Sequence, residues 1–178
     1  MDKPKVIIGI DPGASGGIAY FVNGTAKAVR MPKAVRDLQD FLRYLKSLGS
    51  CIAFMEHIQF RPQDSLTPGK QFGIVKMLGQ YERLTATLQA NDITVIWVYP
   101  KTWQSYLNLK VNREENKTER KGRYKAAAQA YYPAVKATLW NSDALLLLEF
   151  GRRKFAFDID WITEQLSKRY RDSDKNLF

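Results

Sequence analysis

The sequence predicts an α/β protein: a mixed five-stranded sheet, three antiparallel strands and then parallel ones, flanked by helices. Three observations carry this. Short apolar runs at Lys5 to Ile10 and Cys51 to Met55 each stop on an acid, Asp11 and Glu56. Asn23-Gly24 separates two short apolar stretches, and this dipeptide suits the two positive-φ positions of a type I′ hairpin. Longer segments with apolar residues at helical spacing alternate with the later strands, the pattern of parallel β-α-β crossovers.

In chain order, Lys5 to Ile10 reads as a buried strand bounded by the Pro12-Gly13 turn. Gly17 to Val22 and Ala26 to Arg30 form the hairpin. From Val35 to Leu48, Leu38, Phe41, Leu42, Leu45 and Leu48 share a helical face, with Gly49 as C-cap. Cys51 to Met55 is the fourth strand. Ile58 to Lys70 is polar with two prolines and reads as a loop, Phe72 to Asn91 as a long helix, and Ile93 to Val98 as a strand stopped by Pro100. Trp103 to Lys125 is charged and aperiodic, read as a loop passing into a helix that runs through Ala126 to Tyr131 and stops before Pro133. A last apolar helix begins at Asn141 or Ser142 and is punctuated by Gly151. The expected organisation is one domain over residues 1–153 and a basic, partly helical C-terminal extension over 154–178.

Composition narrows the function. The 178 residues are 45% hydrophobic, enough for one core, and carry 28 Lys+Arg against 18 Asp+Glu, a formal +10. Such an excess favours a polyanionic partner, with nucleic acid first. No apolar window reaches the length of a spanning helix and no secretory signal opens the chain, so no membrane partner and a cytoplasmic location are expected. The single cysteine, Cys51, lies in an apolar run and reads as core. The single histidine, His57, leaves no His-based zinc chemistry and, directly after Glu56 on an extended strand, faces the other side of the sheet.

Three acids stand out by position: Asp11 and Glu56 at strand ends and Asp143 at the start of the late helix. If the first and fourth strands are parallel neighbours, their carboxyl ends meet at the edge where open α/β sheets bind ligands. Taken singly, each acid has an ordinary role, as turn former, solvated strand end or helix-dipole partner. Together they offer oxygen ligands to a hard cation such as Mg²⁺ or Mn²⁺ and the makings of phosphodiester hydrolysis. Two basic groups accompany them. Phe60, Arg61 and Lys70 lie in the loop after Glu56, where an aromatic could wedge into unstacked bases. Lys110, Lys117, Arg120, Lys121 and Arg123 form a second group, suited to phosphates or to charge in the transition state.

The segments GIDPGASGGIA, FMEH, Leu78-Gly79-Gln80 and SDALLLLEFGRR together resemble Holliday-junction resolvases of the RuvC type, particularly bacteriophage forms, from about Val6 to Arg153. The resemblance implies an RNase H-like fold, a homodimer and Mg²⁺- or Mn²⁺-dependent paired nicking of four-way DNA junctions in a bacterial or phage-infected cytoplasm. It also implies that Asp11, Glu56 and Asp143 are the catalytic, metal-binding acids. One departure is plain: the family places a fourth ligand one helical turn before the last aspartate, and here that position is Trp140. Asn141 is the candidate replacement. Glu149, six residues past Asp143, falls on another helix face. Three further readings compete: an RNase H-like nuclease for other branched or single-stranded nucleic acid, a junction-binding protein that does not cut, and an actin-like or sugar-kinase ATPase. The last needs a second glycine-rich phosphate turn, which the chain lacks.

Overall fold

The computed structural model describes residues 4–13, 15–58, 68–112 and 114–175, the side chains of 68–71 and 169–175 excepted. Five strands, β1 (Val6–Ile10), β2 (Gly17–Val22), β3 (Thr25–Arg30), β4 (Cys51–Glu56) and β5 (Thr94–Val98), form one sheet in the order β3-β2-β1-β4-β5. β1, β2 and β3 pair antiparallel; β1 with β4 and β4 with β5 pair parallel. The expected topology is therefore present. The hairpin turn sits at Asn23 and Gly24 with φ of 48° and 79°, the two left-handed positions a type I′ turn requires.

Among the described residues six helices cover the sheet: α1 (Val35–Ser47), α2 (Pro68–Ala90), α3 (Pro100–Tyr106), α4 (Lys117–Tyr131), α5 (Ser142–Phe157) and α6 (Ile159–Lys175). Alternation along the strands divides the core. Val6, Ile8, Ile10, Ala53 and Met55 face α1 and α2 with Leu38, Leu42, Leu84 and Leu88; Cys51 is buried there as well. Ile7, Ile52 and Phe54 face the other way, onto α5 and its neighbours. Nearly every residue of the first two and a half turns of α5 is buried, which explains its all-round apolar sequence ALLLL. Gly9 lets α5 lie directly on β1: a Cβ there would stand 2.3 Å from both the Ala144 carbonyl oxygen and the Leu148 nitrogen.

Four local expectations are corrected. α2 starts at Pro68, inside the stretch Ile58 to Lys70 read as a loop. α4 starts at Lys117, well before Ala126, because Asn116 and Glu119 form a reciprocal capping box. Pro100 ends the strand and also opens a helix, α3, at a position where its missing N–H costs nothing. Gly151 does not end α5; its lack of a side chain admits the Phe54 ring, which a Cβ would meet at 2.3 Å. Residues 154–157 complete α5 and 159–175 form α6, where Ile162 is fully buried in the main core and Trp161 meets Phe150 edge to face at 5.4 Å. Among the described residues no helix is long and apolar enough to cross a membrane.

Candidate active site at the carboxyl edge of the sheet

The parallel register pairs Ile10 with Met55, so the next residue on each strand, Asp11 and Glu56, stand side by side at the carboxyl edge. Both continue the α5-facing series, Ile7-Gly9-Asp11 and Ile52-Phe54-Glu56. The contact of α5 with Gly9 places Asp143, one residue before Ala144, at the same edge.

Each carboxylate is held differently. Asp11 Oδ1 accepts from the Gly13 backbone N–H at 3.0 Å, closing the turn. Gly16 is packed under that carboxylate, since a Cβ would come within 2.7 Å of Asp11 Cγ and 2.3 Å of its backbone oxygen. Glu56 Oε2 accepts from Trp103 Nε1 at 3.0 Å, the indole lying wholly inside the core. Asp143 takes Lys121 Nζ on Oδ2 at 2.5 Å and the Ser142 hydroxyl on Oδ1 at 3.2 Å.

The site is electrostatically one unit. Burial, then repulsion by Asp11, pushes Glu56 up to about 7, against the lowering effects of the Trp103 bond and Lys121. Burial likewise raises Asp11; the Gly13 bond and Lys121 lower it, and Asp143 adds to the rise. Carboxylate oxygens are the donor type a hard cation takes, whereas the Lys121 ammonium has no lone pair to offer and competes with such a cation for Asp143. Among the described residues, however, no group of three or more Asp, Glu, His or Cys is gathered closely enough to hold a metal ion. The positive charge at Asp143 is that of Lys121.

Of the second basic cluster, only Lys121 is seen to ion-pair with one of the three acids. Arg123 binds Glu115 through two 2.8 Å contacts and the Lys110 carbonyl at 3.0 Å, tying the preceding loop to α4. Lys110 and Lys117 are exposed and Arg120 is half-buried. Phe60 and Arg61 lie outside the described residues, and Lys70 falls on α2 where only the backbone is described.

Asn141, the candidate fourth ligand, spends its amide elsewhere: Oδ1 accepts from the Thr138 N–H and hydroxyl, and Nδ2 donates to the Lys136 carbonyl. These bonds tie the buried Asn141 amide to the loop before α5. Trp140 fills the neighbouring space. Its ring would meet a Gly17 Cβ at 2.8 Å, and the Arg30 guanidinium stacks 5.0 Å from it. Glu149 is remote from the site, binding Tyr132, Arg152 and Arg153 and lining a concavity with Pro4 and Lys5 at the start of β1. His57 faces away from the acids, its Nδ1 3.3 Å from the Tyr81 hydroxyl and its ring edge-on to Tyr99 at 4.7 Å. Trp103 is the functional residue that sequence reasoning missed; an aromatic in a charged, aperiodic stretch carries no sign of its partner.

The structure is similar to solved structures of RuvC. It matches the Thermus thermophilus RuvC structure with a TM-score of 0.50 and 14% identity, over 83% of this chain and 95% of that one. It matches T. thermophilus RuvC in complex with Holliday junction substrate with a TM-score of 0.52 and 14% identity, over 86% and 96%. No family model matches the sequence, nor does any curated protein. The likeness is one of fold: a mixed α/β sheet of the RuvC, RNase H-like kind.

Proposed function

We propose that the chain is a structure-selective DNA endonuclease that resolves four-way junctions by metal-dependent paired hydrolysis. The observation that carries this reading is the meeting of Asp11, Glu56, Asp143 and Lys121 at the carboxyl edge of a RuvC-like fold. RuvC itself is known in complex with a Holliday junction, and a net charge of +10 suits a DNA partner.

To hold Mg²⁺ or Mn²⁺, Asp11, Glu56 and Asp143 would have to draw closer together than they stand in this structure; the ion when bound supplies an activated water and neutralises charge on the scissile phosphate. The remaining work belongs to the protein. Trp103 donates to Glu56 Oε2 and so fixes the orientation of the carboxylate that would face the metal. The Gly13 N–H holds Asp11 in its rotamer. Lys121 presents an ammonium to charge developing on the phosphate oxygens. Gly13, Gly16 and Gly17 near Asp11 carry no side chains of their own, which favours approach of a phosphate to the backbone at those positions.

Two cuts on opposite strands require two such sites, and the homodimer belongs to this proposal. α2 offers a face for it, with Phe72 73% exposed and Val75 68% exposed beside Leu78.

The test is cleavage of a synthetic four-way junction against a matched linear duplex, with Mg²⁺, Mn²⁺ or EDTA, by wild type and Asp143→Asn. Paired, metal-dependent nicks confined to the junction and absent in the variant support the reading. Tight junction binding with no cutting would instead make the protein an architectural binder in which Trp140 marks the lost ligand position, and cutting of flaps or single strands in preference to junctions would move the substrate class.

A further inference from the structure

On the other face of the sheet, one residue from the carboxylates, lies a concavity of about 370 Å³ bounded by the Pro12 turn, the segment Met31 to Lys33 and one face of α2. Its polar lining is cationic: Lys33 on one wall, and Lys76, Gln80 and Arg83 on the other. The α2 residues are spaced four and three apart, so they project from one stripe of the helix toward Lys33. That stripe is neither the buried one, where Tyr81, Leu84 and Leu88 pack on the sheet, nor the exposed apolar one of Phe72 and Val75.

Among the described residues none of the three cations is paired with an acid. The ion pairs of α1 join Arg36 and Arg43 to Asp40, and among the described residues no carboxylate stands within pairing distance of Lys33, Lys76 or Arg83. All three are exposed. Arg123, Arg152, Arg153 and Lys154, by contrast, each hold an acid. Three facing, unneutralised cations with an amide between them form a cradle for an anion, and its wall, the buried Pro12, is covalently joined to Asp11.

We infer that this cleft is a second phosphate-binding site, which takes the nucleic-acid backbone next to the scissile phosphate as the strand passes over the edge of the sheet. The inference rests on the proposed nuclease reading and extends it. Asp11 faces α5 and Pro12 walls the cleft toward α1 and α2, so a strand crossing the turn between β1 and β2 meets the carboxylates on one side and the cations on the other. Lys33, Lys76 and Arg83 would then fix the position of the strand while remaining outside the chemistry.

The experiment measures equilibrium binding of a four-way junction in EDTA across a salt series, for wild type, Lys76→Gln/Arg83→Gln, Lys76→Arg/Arg83→Lys and the exposed β3 variant Lys27→Gln, each checked for an unchanged melting temperature. Each lost phosphate contact lowers the slope of log K against log salt by about 1. The neutralised double variant is expected to lose about 2 from the slope, while the charge-conserving pair and Lys27→Gln keep the wild-type slope. Junction binding by wild type with an equal slope in the neutralised variant overturns the cleft alone. Failure of wild type to bind nucleic acid at all overturns the nuclease reading and the cleft with it.

Discussion

The Trp103 indole donates to Glu56 Oε2 at 3.0 Å from a ring with no exposed surface. A core residue thus reaches the site from beneath, and a hydrogen bond to the ionised carboxylate opposes the burial and Asp11 repulsion that raise Glu56 to about 7. Trp103→Phe keeps most of the packing against Tyr124 and removes only the donor. On the proposed reading Glu56 must be ionised to serve as a metal ligand, so the acid limb of the pH–rate profile is expected to move to higher pH in the variant. A limb that stays in place or moves to lower pH would detach Trp103 from the chemistry.

The same carboxylates make the metal-free protein sensitive to pH in an unusual direction. Glu56 is raised from 4.5 to about 7 and Asp11 is raised too, so the folded state binds their protons more tightly than the unfolded one. The Glu56 contribution is fully present below pH 4.5 and is lost as pH climbs through 7, and that of Asp11 is fully present below 3.8 and lost as pH rises above it. At about 1.4 kcal/mol per unit, Glu56 alone accounts for at most roughly 3 kcal/mol. Denaturant midpoints in EDTA should fall between pH 4.5 and 7, and Glu56→Gln should flatten that fall. A midpoint rising over this interval in wild type, with no change in the variant, would contradict the assignment.

The sheet and its edge were legible because each depended on local signals. Two apolar runs ending on acids located Asp11 and Glu56, and Asn23-Gly24 fixed the hairpin that sets the antiparallel half. Asp143 was legible from its place at the head of an all-apolar helix. The start of α4 lay in the Asn116–Glu119 box, hidden inside a charged stretch without apolar periodicity. Trp103, Trp140 and the cleft of Lys33, Lys76 and Arg83 depend on residues brought together from distant segments, and neither spacing nor composition encodes such meetings. The same holds for singling out Lys121 from five basic neighbours: its role follows from the packing of α4 beside the first turn of α5.

Three glycines separate the integrity of the fold from that of the site. A Cβ at Gly9 would strike the α5 backbone at 2.3 Å, so Gly9→Ala must lift that helix from β1 and should cost about 3 kcal/mol or more of unfolding free energy. At Gly24 no atom lies within 4 Å and only the φ of 79° opposes a side chain, so Gly24→Ala should cost about 1 kcal/mol with junction cleavage unchanged. Gly16→Ala, pressing on the Asp11 carboxylate and backbone, should lower cleavage far more than its loss of stability explains. Urea unfolding and cleavage rates on the three proteins test this ordering; equal stability losses at Gly9 and Gly24 would refute the close packing of α5.

Lys121 holds Asp143 at 2.5 Å and lowers the pKa of both Asp11 and Glu56, so it competes with any cation drawn to the three acids. Replacing it with methionine keeps the aliphatic stem and removes the charge. Two effects of opposite sign follow. The site becomes more negative, so Mg²⁺ or Mn²⁺ should bind more tightly in calorimetric titration. The phosphate loses an ammonium partner in the transition state, so cleavage at saturating metal should fall by about 10²–10³-fold, the loss seen when one preorganised donor is removed from such a site. A purely structural lysine would give neither result: metal affinity would stay constant, and any loss of cleavage would follow the loss of folded protein. Lys121→Arg, which retains the charge, should leave metal affinity near wild type and recover part of the rate. Tighter metal binding with full cleavage in Lys121→Met would confine Lys121 to balancing charge in the metal-free site.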